Sequence, residues 1–274
     1  MPDLAQFLPF LALLLAVGAL AGLLAGLLGV GGGIIIVLAL FHAFSALGYD
    51  SPYLMQICLA TSLATIIFTS LRSVASHHAK GAVDWSILRK WAPGIALGAL
   101  VGVLAAASLR SVVLQGIFGG LGLVLGLYLA FGRRDWRLGA AMPGGALRAM
   151  MSAVVGFLSV LMGIGGGVMG VPLMTLYGLP IHRAVGTAAG FGALIAVPSV
   201  AGFLMIAIPE AMRPPLTFGA VNLPGFLVVV SMTMITAPLG ARLAHRTNPV
   251  LLRKIFAIFV VVVAANMLRK ALGV

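Results

Sequence analysis

Two glycine runs limit what this chain can become: Gly29-Val30-Gly31-Gly32-Gly33 and Gly163-Ile164-Gly165-Gly166-Gly167. Each interrupts a long apolar run. Each follows a small residue a few positions upstream, Gly26 in one case and Ser159 in the other. Glycine has no Cβ and adopts positive φ freely, so four glycines in five residues break a helix. In lipid, a broken helix leaves N–H and C=O groups unpaired. That is tolerated only where the break is buried in protein or lines a cavity. Two breaks at matching places in two halves point to a transporter's substrate site.

The apolar runs themselves set the class. Of 274 residues, 62% are hydrophobic and 8% charged, against roughly 25% charged in an average soluble domain. Runs such as 91–109, 111–132, 184–209 and 214–241 carry no charge, and about 20 apolar residues suffice to span a bilayer. The chain is expected to be an all-α, polytopic transmembrane helical bundle with 8–10 helical segments, some broken by glycine. The net charge of +12 comes from short basic clusters between spans. That pattern fits cytoplasmic loops and lipid headgroups and does not call for nucleic acid. The one cysteine, Cys58, lies in an apolar run and reads as a small buried hydrophobe. The N-terminal stretch lacks a basic n-region and reads as a retained helix, not a signal peptide.

The two halves repeat. Gly29–Gly33 falls on Gly163–Gly167 at a shift of 134, and Gly81-Ala82-Val83-Asp84 on Gly219-Ala220-Val221-Asn222 at 138. Ala60-Thr61-Ser62 falls on Gly186-Thr187-Ala188 at 126. The expected division is a first transmembrane repeat at 1–132, a cytoplasmic connection at 133–148 and a second repeat at 149–274. The heavy basic loop follows the second element in one half and the third in the other, which predicts repeats of opposite orientation. Residues 4–46 are too long for one crossing, so they read as two helices folded back or a span plus a re-entrant half. Residues 72–90 read as a loop.

A helix that restarts after a break offers free N–H groups and the positive end of its dipole, an anion site that needs no charged side chain. The candidate substrate-binding residues are Gly29, Gly31, Gly32, Gly33, Thr61, Ser62, Gly163, Gly165, Gly166, Gly167 and Thr187. Thr65 and Thr69 could equally bond carbonyls of their own helix. Gly165, Gly167 and Gly170 match G-x-G-x-x-G, but no acidic residue follows before Glu210, which argues against a dinucleotide fold. His77-His78 lacks a third metal ligand nearby. Asp50, Asp84 and Glu210 are the candidates for proton coupling, all at span ends. No catalytic constellation, metal site or cofactor site is visible, so the chain is not expected to be an enzyme.

Together, the two glycine runs, Pro172, Ala60-Thr61-Ser62-Leu63, Gly186-Thr187 and Gly81-Ala82-Val83-Asp84-Trp85 resemble the TauE/SafE sulfite exporter family over nearly the whole chain. The resemblance implies a multi-pass permease of the cell inner membrane, built from two related halves, that moves sulfite or a small organosulfonate. The family's proline after the glycines is Pro172 in the second half but Leu38 in the first, so the two half-sites need not be equivalent. The expected mechanism is alternating access with the anion between the breaks. The expected partners are that anion, membrane lipids, a coupling proton and a second copy in a homo-oligomer, with no nucleic acid. The rival readings are a cation or metal carrier, an anion channel and a non-transporting membrane scaffold. Met169 and Met174 are the only hints of soft metal ligands, and methionine fills cores more often.

Overall fold

A helix rises 1.5 Å per residue and the hydrocarbon core is about 30 Å thick, so helix lengths separate spans from half-spans. The computed structural model describes residues 12, 14–16, 18–23, 32–132, 136–244 and 249–273. In order these give α1 (residues 18–23), α2 (Gly33–Ala46), α3 (Leu54–Ala79), α4 (Trp85–Ser108), α5 (Ser111–Phe131) and α6 (Gly145–Leu161). Then come α7 (Gly166–Leu176), α8 (Ile181–Leu204), α9 (Leu223–Ala244) and α10 (Pro249–Leu272). A 3-10 turn at Glu210–Met212 and a small antiparallel hairpin, β1 (Thr217–Phe218) and β2 (Val221–Asn222), lie between α8 and α9. Among the described residues, five helices are long and apolar enough to cross a membrane. At 14 and 11 residues, α2 and α7 are not.

The repeat is visible in the element order: α1 to α5 correspond to α6 to α10. Corresponding helices run in opposite directions. Gly186 on α8 faces His77 on α3, while Gly192 faces Ser70, so the pair is antiparallel. Gly119 on α5 faces Ala264 and Leu268 on α10, and Gly126 faces Val261, so that pair is antiparallel too. The structure is therefore two inverted repeats. They are also interlaced. Gly94, Gly98 and Gly102 of α4 lie against Ser152, Ala153 and Val160 of α6, so the first helix of the second repeat packs along a helix of the first. Gly18 and Gly22 of α1 meet Met232 and Thr236 of α9 in the same way. Glycines four residues apart bring the backbones close, which supplies dispersion contacts where lipid offers no hydrophobic driving force.

Short α2 and α7 return to the face they came from. The Leu138 N–H donates to the Leu176 carbonyl at 2.8 Å, tying the end of α7 to the segment that precedes α6. Hence α6 and α7 form a re-entrant hairpin. Residues 18–23 run parallel to α9 and α2 runs back, ending where the Lys270 ammonium lies 4.6 Å above the Phe41 ring. The two hairpins enter from opposite faces. Sequence reading expected a loop at 72–90, but α3 continues to Ala79. Nothing between Arg72 and His78 breaks a helix, and polar side chains near a span end can reach the interface without unwinding it.

Two matched hydrogen bonds fasten the repeats to each other. The Asp84 N–H donates to the Thr187 hydroxyl at 2.9 Å, and the Asn222 N–H to the Thr61 hydroxyl at 3.0 Å. Each threonine of one repeat thus holds the Gly-Ala-Val-Asp/Asn turn of the other. Those turns are built alike. The Ala82 N–H donates to His77 and the Ala220 N–H to Phe203, both at 3.0 Å, and Gly81 and Gly219 have φ of 66° and 55°. The Asp84 carboxylate caps α4 through the Ser86 and Ile87 N–H groups, and the Asn222 carbonyl oxygen accepts from Gly225 at the start of α9. Only the Asp84 end adds a charge pair, to Arg183 at 2.8 Å.

Thr61→Val and Thr187→Val each remove one acceptor from a backbone N–H, and each is expected to cost about 1–3 kcal/mol of stability, read as a lower thermal midpoint in detergent. Gly98→Leu drives a side chain into the Ala153 backbone and is expected to prevent folding. Gly120→Leu is expected to be tolerated, because a Cβ there has nothing within 4 Å. A Gly120→Leu protein as damaged as Gly98→Leu would refute this packing.

Candidate functional site

The two hairpins meet at their tips, in the middle of the bundle. At the second tip α6 ends in a Schellman motif. Gly163 takes φ of 59°, its N–H donates to Val160 at 2.9 Å, and the Ile164 N–H donates to Ser159 at 2.9 Å. A left-handed residue after the last helical turn is what lets the chain reverse there, and glycine takes it without penalty. Helix α7 then starts after Gly165, with no side chain capping it. At the first tip Gly32 has φ of 66° and α2 starts at Gly33, again with no side-chain cap. Gly29 and Gly31 lie outside the described residues.

A Cβ on Gly33 would sit 2.7 Å from the Gly163 carbonyl and 2.9 Å from the Ile164 Cα, so the tips touch backbone to backbone. The Ser62 hydroxyl on α3 lies at this junction, donating to the Gly163 carbonyl at 2.8 Å with the Gly33 carbonyl 3.4 Å away. Gly166 is pressed against Phe191 and the Ala188 carbonyl of α8, and Gly165 against Ile66 of α3. Gly163, Gly165, Gly166 and Gly167 are all buried. The positive ends of α2 and α7 therefore converge on a buried point walled by the antiparallel pair α3 and α8.

Of the residues expected at a site, Gly32, Gly33, Ser62, Gly163, Gly165, Gly166 and Gly167 are brought to this junction. Thr61 and Thr187 are not: their oxygens accept from the Asn222 and Asp84 N–H groups in the clamps described above. Thr65 and Thr69 donate to carbonyls of their own helix, Thr65 to Ser62 at 2.7 Å. Met174 is fully buried in the core. His78 accepts from the Trp85 indole at 3.2 Å. The acidic side chains at span ends have local partners: Asp50 accepts from Ser45 at 2.6 Å, and Glu210 pairs with Arg213 at 3.2 Å.

Sequence reading noted Ser159 only for its size. Its hydroxyl is fully buried beside the break and has no hydrogen-bond partner. Ser199, Thr233 and Thr236 by contrast donate to carbonyls one turn back. Among the described residues no three His, Cys, Asp or Glu side chains cluster as a metal site would require.

The comparisons with known proteins point to a family of membrane transporters. The family model described as sulfite exporter TauE/SafE matches residues 14–267. A probable membrane transporter protein of Haemophilus influenzae is 32% identical over 261 residues, covering 95% of this chain and 99% of that one. A probable membrane transporter protein of Methanocaldococcus jannaschii is 26% identical over 253 residues, covering 90% and 91%. No solved structure matches significantly. With the family model spanning nearly all of a multi-pass, inverted-repeat bundle, the chain belongs to the sulfite exporter TauE/SafE family of membrane transporters.

Proposed function

We propose that this protein carries sulfite or a small organosulfonate across the cell inner membrane, binding the anion where the two hairpin tips meet. The observation that carries the reading is the convergence of two helix N-termini, uncapped by side chains, on one buried junction. Backbone N–H groups and helix dipoles favour sulfur oxyanions over cations, and the unpartnered Ser159 hydroxyl adds a donor beside the same break. The family name points to the same substrate class.

Alternating access is the proposed mechanism. Because the hairpins enter from opposite faces, opening the cleft beside one tip while closing the other exposes the junction to each side in turn. The ends of the helices differ in charge. Lys80, Arg89, Lys90, Arg148 and Arg183 lie on one face, and Arg110, Arg213, Arg269 and Lys270 on the other. With Arg137 before α6 and Lys254 at the start of α10 added to the first group, the positive-inside rule makes the Asp84 face cytoplasmic.

Purified protein in proteoliposomes is expected to give saturable flux of sulfite, sulfoacetate or taurine. Sodium or potassium flux with no anion dependence would overturn the proposal, and unsaturable conductance would favour a channel. Ser62→Ala frees the Gly163 carbonyl at the junction and is expected to slow flux by about tenfold or less, the value of one hydrogen bond. Gly165→Ala, where a Cβ would meet the Ile66 side chain at 3.2 Å, is expected to slow it while the protein still folds. Wild-type flux in both variants would remove the tips from the mechanism.

A further inference from the structure

The two repeats match in backbone but not along the face of α3 that leads away from the tips. Ser62, Thr65, Thr69, Arg72 and Ser76 recur at intervals of three and four residues, so they share one stripe of a helix turning 100° per residue. The stripe lies between the edge that meets α8 (Ser70, His77) and the edge that meets α9 (Thr61, Phe68). Exposure rises along it. Ser62 and Thr65 are fully buried, Thr69 is half-buried, and Arg72 and Ser76 are exposed. The matching positions of α8 are Ala188, Phe191, Ile195, Pro198 and Gly202, without a single polar side chain. That face is closed by packing: Phe191 stacks on Trp91 at 6.0 Å and Gly202 abuts Val103 of α4.

Arg72 is the charged member of the stripe. It sits seven residues before the end of α3, about 10 Å in from that end. Its guanidinium lies 3.6 Å from the Met234 sulfur, midway along α9. Among the described residues no carboxylate pairs with it. With its head beside the middle of α9 and not at the helix end, this cation is costly unless it faces water or a ligand.

We propose that the Ser62–Ser76 stripe of α3 is the access path from the Asp84 face to the hairpin tips, and that Arg72 is the station that recruits the anion into it. The inference rests on the anion reading for its cargo, but not for the path. A guanidinium offers paired donors that suit the oxygens of a sulfite or sulfonate, and a stripe of hydroxyls leads from it to Ser62. The apolar α8 face is the closed counterpart, so the path lies on the Asp84 side, exposed at Arg72 and Ser76 and closed at Thr65 and Ser62.

Two measurements test this. Single-cysteine variants Thr69→Cys, Arg72→Cys, Ser76→Cys and Leu71→Cys, with the buried Cys58 as background, are treated with a membrane-impermeant charged methanethiosulfonate from each side. The reagent needs a hydrated thiol. Modification at 69, 72 and 76 from the Asp84 face alone, with Leu71→Cys inert, is the expected result. Equal labelling of Leu71→Cys and Ser76→Cys, or none at all three stripe positions, overturns the path whatever the cargo. In flux assays, Arg72→Gln is expected to raise KM for the anion by about tenfold or more with kcat little changed, and Arg72→Lys to recover part of the loss. If wild-type protein carries the anion and Arg72→Gln leaves KM unchanged, Arg72 has no recruiting role. If wild-type protein carries no anion, the substrate reading fails while the labelling result stands.

Discussion

A peptide group in hydrocarbon must find its hydrogen bond inside the protein, and this fold depends on meeting that demand at two places where helices stop short. The chain meets it by burial. The described residues of the two tips lie against each other, with α3 beside both and α8 beside the second, and the Ser62 hydroxyl takes up the Gly163 carbonyl. Carbonyls that end α6 are answered by the turn at Gly163 and Ile164. The amides that begin α2 and α7 have no side chain to answer them. The proposed anion is the partner that would complete them, so on that reading the constraint that shapes the fold also shapes its chemistry.

The rest of the bundle keeps that junction in place. The threonine clamps couple each repeat's central helix to the other repeat's turn, so α3 and α8 are held at both ends. Close glycine contacts do the same for α4 with α6 and α1 with α9. Rocking of one intact half against the other does not suit this interlacing. Movement of a hairpin against its packed helix, or of α9 away from α3, suits it better. Asymmetry enters through side chains on a symmetric frame: Ser62 against Ala188, Arg72 against Pro198, and Asp84 with its arginine against Asn222.

Much of this was legible in the residues. Four glycines in five positions can hardly continue a helix, and a charge-poor chain with long apolar runs has to lie in lipid. The Gly-Ala-Val-Asp/Asn match marked corresponding turns before any coordinates. Reading stopped where the answer depended on partners across the repeats. Thr61 and Thr187 share a position in the duplication, and sequence alone does not tell whether a hydroxyl there meets a solute or a neighbouring amide. Arg72 was assigned to a loop because its charge suggests an interface, yet its helix carries on for seven residues. The hydroxyl stripe escaped notice because Thr65 and Thr69 bond to their own helix, which is the ordinary fate of such residues.

The interlacing has a cost during synthesis. Residues 18–23 leave the ribosome some two hundred residues before α9, the helix they nestle against. Until that mate and the second tip are made, α2 has α3 beside it but the amides that begin it lie open, and lipid cannot satisfy them. The nascent chain must either hold that end of α2 outside the acyl region or shelter it within the insertion machinery, so maturation of the first repeat waits on completion of the second.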